Sequence, residues 1–246
     1  MPIVANDLIF YSSASVPTDD TSTTGGAIDT ASRVALTPHT GNQSIRVVSD
    51  GADTRTITVT GRLASGVVDT EVLTLNGTTP ANGAKSFERV QSLVASATSG
   101  TRTVTIRTNE GSPQDIATIT PNESKRHIQF QNSTSEASTA TRYEKQFAKN
   151  THATLSLLNA ALKLTADPAS KIEIGIGTAV NGSTNIANRK AAPAGITFVD
   201  DNVSQGVPGT NLAAGDACPF WVKQTLGAND AAQKSTFTTE LAGSTT

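Results

Sequence analysis

The stretch "TRTITVTGR", residues 54–62, decides the fold class. Ile57 and Val59 fall on one side of an extended chain, and Thr56, Thr58 and Thr60 fall on the other, the period-two pattern of a half-buried strand. "TRTVTIRT" (101–108) repeats it with Val104 and Ile106, and "KIEIGIG" (171–177) with Ile172, Ile174 and Ile176. Further short runs of the same character are "SIRVVS", "TEVLTL", "DIATIT", "HIQFQ", "ATLSLL", "ALKLT", "GITFVD", "PFWVKQTL" and "STFTTEL". Turn-forming clusters such as "SDGAD", "NGTTPANG", "NEGSP" and "ADPAS" separate them. Many short strands with no sustained helical stripe predict an all-β chain built from sandwiches. "AKSFERVQSLVAS" (84–96) carries apolar residues at helical spacing, but it reads equally as a strand with a bulge, and the strand is favoured.

Composition narrows the function. Charged residues make up only 16% of the 246, and the net charge is −2, so the chain lacks the basic footprint of a nucleic-acid binder. Apolar residues reach 36% in ordered short runs, which excludes a disordered chain. The single cysteine, Cys218, has no internal disulfide partner and reads as a small buried hydrophobe. The first residues, "MPIVANDLIFYSS", lack a basic region and are interrupted by Asp7; no signal peptide and no membrane span is expected.

The strands divide near Pro121 to Arg126, with Thr-rich strands before and more apolar strands after. The expected organisation is an N-terminal arm and loop (1–30), a first β-sandwich (31–122) and a second, immunoglobulin-like sandwich (123–246). The fold class expected is therefore all-β, two tandem immunoglobulin-like antiparallel β-sandwich domains with an extended N-terminal arm. "GDACPFWVKQTL" and "STFTTEL" read as a closing antiparallel pair, with Trp221 buried and Val222 on the opposite face.

Candidate sites are few. "DDTSTTGGAID" (19–29) combines Asp19, Asp20 and Asp29 with four hydroxyls and the Gly25–Gly26 pair. It lacks the alternating oxygen ligands and closing Glu of a calcium loop, and the Lys of a phosphate loop. A calcium site on the three aspartates stays open, but a polar tether is the preferred reading. Asp200 and Asp201 are adjacent, hence badly placed for paired-carboxylate hydrolysis. His39, His127 and His152 are isolated, with no metal-ligand spacing. "ESKRHIQF" (123–130) is the densest basic cluster and reads as a solvated edge between domains. No catalytic, cofactor or metal residues are assigned, and no enzyme is expected. The interaction candidates are Ile3, Leu8, Ile9, Phe10 and Tyr11, apolar residues of an arm able to add a strand to a neighbouring sheet.

"DLIFYSSASVPTDDTSTTGGAID" (7–29) and "GTNLAAGDACPFWVKQTLGANDAAQKSTFTTELAG" (209–243) resemble structural proteins of tailed-bacteriophage virions. The resemblance rests on an aliphatic-Tyr-Ser opening and a Pro-x-Asp-Asp turn, here Pro17 to Asp20. It covers the two ends of the chain and the middle only in character. It implies a head decoration or cement protein bound to the major capsid protein, or a neck, tail or baseplate component. A glycan-binding adhesin module is the further alternative. The partners implied are the major capsid protein or other virion proteins and further copies of the chain, a trimer being favoured. Neither nucleic acid nor membrane is expected as a partner. The location implied is the virion, assembled in the bacterial host cytoplasm.

Overall fold

The computed structural model describes residues 2–98, 101–131, 136–230 and 235–245. It is all-β, with one short 3-10 turn at Ala5–Asp7 and no α-helix among the described residues. The chain forms two compact units, and one interrupts the other: residues 1–29 and 132–246 make the first unit, and residues 30–131 the second. An insertion thus replaces the expected bounds of 1–30, 31–122 and 123–246. The boundary near Pro121 to Arg126 fails because Lys125–His127 is itself an interior strand of the inserted unit.

The first unit opens with β1 (Leu8–Ser15) and β2 (Thr24–Asp29). In the inserted unit follow β3 (Ser32–Val34), β4 (Gln43–Ser49), β5 (Thr56–Arg62), β6 (Val68–Thr74) and β7 (Ala81–Phe87). They are joined by β8 (Arg89–Ala95), β9 (Val104–Thr108), β10 (Asp115–Ile119) and β11 (Lys125–His127). The first unit resumes with β12 (Ala140–Asn150), β13 (Leu158–Ala166), β14 (Ile172–Ile176) and β15 (Asn185–Ile186). It ends with β16 (Ser204–Gly206), β17 (Ala217–Leu226) and β18 (Thr238–Ser244).

In the inserted unit two sheets, ordered β10-β9-β4-β7 and β3-β11-β8-β5-β6, enclose one core. Ile45, Val47, Val104 and Ile106 from the first sheet meet Ile57, Val59, Leu73 and Leu93 from the second, all buried. The alternation of "TRTITVTGR" is realised in β5, whose Ile57 and Val59 are inaccessible while its threonines are half-exposed. The stretch 84–96 is strand on both sides of Glu88, and a register shift where β8 meets Thr60 and Gly61 of β5 is the bulge. Gln91 is the extra residue there, so Val90 returns to the core and Arg89 to the outer face.

The first unit carries a six-stranded sheet, β14-β17-β12-β1-β2-β15, and a three-stranded one, β16-β13-β18. The expected extended arm does not exist. Leu8–Ser15 lies between β12 and β2, with Leu8 opposite Asn150 and Ser12 opposite both Gln146 and Asp29. The physical reason is hydrogen-bond accounting: an apolar eight-residue segment gains partners on both edges by folding back, and backbone groups left unpaired are costly. β17 and β18 do not pair with each other either. Ala217–Val222 is buried throughout, which calls for an interior position between β14 and β12, whereas β18 is largely exposed and borders β13. "GITFVD" is no strand: its backbone pairs with the sheet at an isolated Val199–Ile174 bridge, while the side chains of Ile196 and Phe198 pack on Trp221, Tyr143 and Ile186.

Candidate interaction surface

The stretch 19–29 is a latch. Asp19 closes its own turn, its Oδ1 accepting from Thr21 N and Oγ1 at 2.8 Å and from Ser22 Oγ at 2.9 Å. Those hydroxyl bonds, Thr21 first, hold its carboxyl below the usual range. Asp20 reaches instead to β12. Its Oδ1 accepts from Arg142 Nε at 2.7 Å, and its Oδ2 from Arg142 Nη2 and Lys190 Nζ, both at 2.9 Å. Arg142 leads in pulling the Asp20 carboxyl down to about 2. Arg142 also binds Glu136, and Arg189 binds Glu144 at 2.8 Å, so the buried guanidiniums each face a carboxylate. Asp20 is thereby committed to arginine and lysine, which conflicts with calcium held jointly by Asp19, Asp20 and Asp29.

The two glycines finish the latch. Gly25 has φ +105°, and a Cβ there would lie 2.8 Å from Thr184 O and 2.9 Å from the Trp221 ring. Gly26 turns its carbonyl toward Lys145, whose buried ammonium donates to Gly26 O (3.0 Å), Gly182 O (2.7 Å) and Thr184 O (2.9 Å). Lys145 stands opposite Trp221 in the β12–β17 pair, with its Nζ 5.7 Å from the indole and 4.9 Å from the Phe147 ring. The hydroxyls and glycines therefore serve conformation, but in a pinned loop rather than a free tether.

The interaction candidates of the N-terminus sit partly inside this unit. Leu8, Ile9, Phe10 and Tyr11 are half-buried in β1, and Phe10 meets Phe220 edge-on at 6.0 Å. Ile3 is half-buried ahead of the strand. Because β1 is paired on both sides, it has no edge with which to extend a neighbour's sheet.

The remaining candidates are also placed. Trp221, Val222 and Cys218 are buried, and burial pushes the Cys218 thiol up to about 12, far from a reactive thiolate. "ESKRHIQF" is not a solvated edge: Glu123, Arg126 and His127 are buried, with Arg126 bound to Glu123 and to Thr118 O. Burial lowers His127 to about 4. His152 Nδ1 accepts from Thr154 N and Leu155 N, ordinary turn bonding. No group of three or more His, Cys, Asp or Glu side chains suited to a metal occurs among the described residues.

What the sequence reading missed is the outer face of β5, β6 and β8. Val72 and Val94 both stand opposite Thr58, and Val68 stands opposite Arg62, which in turn faces Arg89. Val67, Val68, Val72 and Val94 are all more than one-third exposed, Val72 by 60%. β6 is inverted. Asp69 and Glu71 turn inward to the β7 border, where Asp69 pairs with Lys85 and Glu71 accepts from Ala84 N, leaving the valines outside. The signal was present in "VVDTEVLTL" (67–75), where Val68 and Val72 are out of phase with Leu73 and Leu75.

Compared with known family models, curated proteins and solved structures, the chain matches none.

Proposed function

We propose that the chain is a non-enzymatic structural protein of a tailed-bacteriophage virion, a decoration or cement subunit that binds the major capsid protein and stabilises the head. The observation that carries this reading is the outer face of the five-stranded sheet, where exposed valines stand in register with threonines. An exposed apolar patch framed by polar residues is what an assembly subunit presents. The resemblance of residues 7–29 and 209–243 to virion proteins points the same way. The subunit works as a homo-oligomer, a trimer being favoured, because closed symmetric contacts add stability by mass action. It is assembled in the bacterial host cytoplasm and resides in the virion.

We read the inserted unit further as immunoglobulin-like. Strands β4, β5, β6, β7, β8 and β11 take the places B, C, C′, E, F and G. Supporting this are the order β11-β8-β5-β6 in one sheet and the β4–β7 pair in the other. The β9–β10 hairpin lies along the remaining side of β4.

Quantitative mass spectrometry of purified particles tests the function. Abundance matching the major capsid protein supports the decoration reading. A few ring-forming copies per particle move the protein to neck, tail or baseplate, and absence from particles overturns the virion reading. Specific binding on a glycan array would favour the adhesin alternative.

A further inference from the structure

We propose that copies of this chain associate head to tail, the outer face of β5, β6 and β8 in one copy receiving the Asp200–Val203 turn of the next. The proposal deepens the subunit reading above and rests on it for its purpose.

The receiving face is cationic and apolar. Arg62 and Arg89 are directly opposed on adjacent strands, and neither guanidinium has a hydrogen bond or an ion pair to another described residue. Like charges in that position oppose folding, and an incoming carboxylate converts the repulsion into a shared contact. Glu88, next to Arg89, offsets part of the charge. Val68 flanks the pair on β6, and Val72 and Val94 continue the surface two rows away.

The Asp200–Val203 turn has the complementary chemistry. Val203 is 47% exposed and, with Val4, is one of two exposed large hydrophobics that lie outside the receiving face among the described residues. Beside it stand two carboxylates without a cation. Asp200 Oδ1 accepts from Asp201 N at 2.8 Å, and Asp201 Oδ2 from Asn202 Nδ2 at 2.9 Å. The turn is held firmly from below: Val199 and Ile174 exchange two backbone bonds, and Asn202 N donates to Leu164 O at 2.7 Å. It therefore presents acid and valine without further ordering, which lowers the entropic cost of binding. A contact between two different patches is heterologous, and its repetition gives a ring where the rotation closes and an open filament where it does not.

The test is sedimentation velocity on the purified full chain at low ionic strength. Wild type should associate, and Arg62→Glu/Arg89→Glu and Asp200→Lys/Asp201→Lys should each weaken association by on the order of 100-fold while their thermal melts stay cooperative. An equimolar mixture of the two variants should recover association, because each reversed patch then meets its complement. A wild-type chain that stays monomeric overturns the proposal. So does unchanged association in either variant, or a mixture that fails to recover. Particles test the virion reading and the purified chain tests this contact, so the failure of one is distinguishable from the failure of the other.

Discussion

Asp20 and Arg142, 122 residues apart in the chain, are joined by two charge-assisted hydrogen bonds of 2.7 and 2.9 Å. Arg142 is almost wholly buried, so its charge depends on the carboxylates brought to it. Asp20→Asn is expected to cost on the order of 2 kcal/mol in urea unfolding. That is less than the roughly 3–5 kcal/mol typical of breaking a buried pair, because Glu136 still serves Arg142. A double-mutant cycle with Arg142→Met checks it: the combined loss should fall short of the sum.

Acid should weaken the two units in different pH windows. His127, in the inserted unit, is buried neutral with its pKa lowered from 6.5 to about 4. Between those values the unfolded chain binds the extra proton, so stability is full above 6.5 and is lost as pH falls toward 4. Asp20, in the interrupted unit, is lowered from 3.8 to about 2, and its contribution is lost only as pH falls through that lower window. Amide hydrogen exchange followed across pH should show the inserted unit weakening first, and His127→Gln should flatten that first phase.

Gly25 is expected to tolerate no side chain. Gly25→Ala places a methyl within 3 Å of both Thr184 O and the Trp221 ring, at a φ that disfavours any Cβ. A loss of about 1–3 kcal/mol is expected from strain and overpacking. Trp221→Ala should cost about 3–5 kcal/mol. Trp221 is the sole tryptophan, so its emission reports directly: blue in the wild type, red-shifted if Gly25→Ala opens the latch.

Deleting residues 2–12 should unfold the interrupted unit, since it removes most of an interior strand between β12 and β2. Residues 30–131 expressed alone should fold, because both of their sheets and their whole core come from within that range. Circular dichroism melts of the two products check the pair of expectations. A cooperative melt of the interrupted unit in the deleted chain would contradict the first.

The local pattern of side chains made the strands legible: "TRTITVTGR", "TRTVTIRT" and "KIEIGIG" became β5, β9 and β14, with the expected residues buried except Ile176, which is half-buried. The burial of Trp221 was legible for the same reason. Partnership across distance was not. Nothing local in "DLIFYSS" indicates that one of its edges belongs to residues 140–150, so the segment read as an arm. The Arg62–Arg89 opposition was equally hidden, because it depends on a one-residue bulge at Gln91 that shifts the register of β8. Asp200 and Asp201 were visible, but only as a failed catalytic pair, since their lack of cations is a property of the folded turn.

The insertion imposes a timetable on synthesis. β1 and β2 leave the ribosome long before β12, the strand that must lie beside β1. At roughly 5–20 residues per second, the interval is on the order of ten seconds. The inserted unit gains its last residue, 131, just before β12 is made, and through the whole interval Leu8, Ile9, Phe10 and Tyr11 wait without the strand that pairs with them. The hazard for a cell making this protein in quantity lies in that interval: nascent chains on neighbouring ribosomes expose the same strand at the same moment.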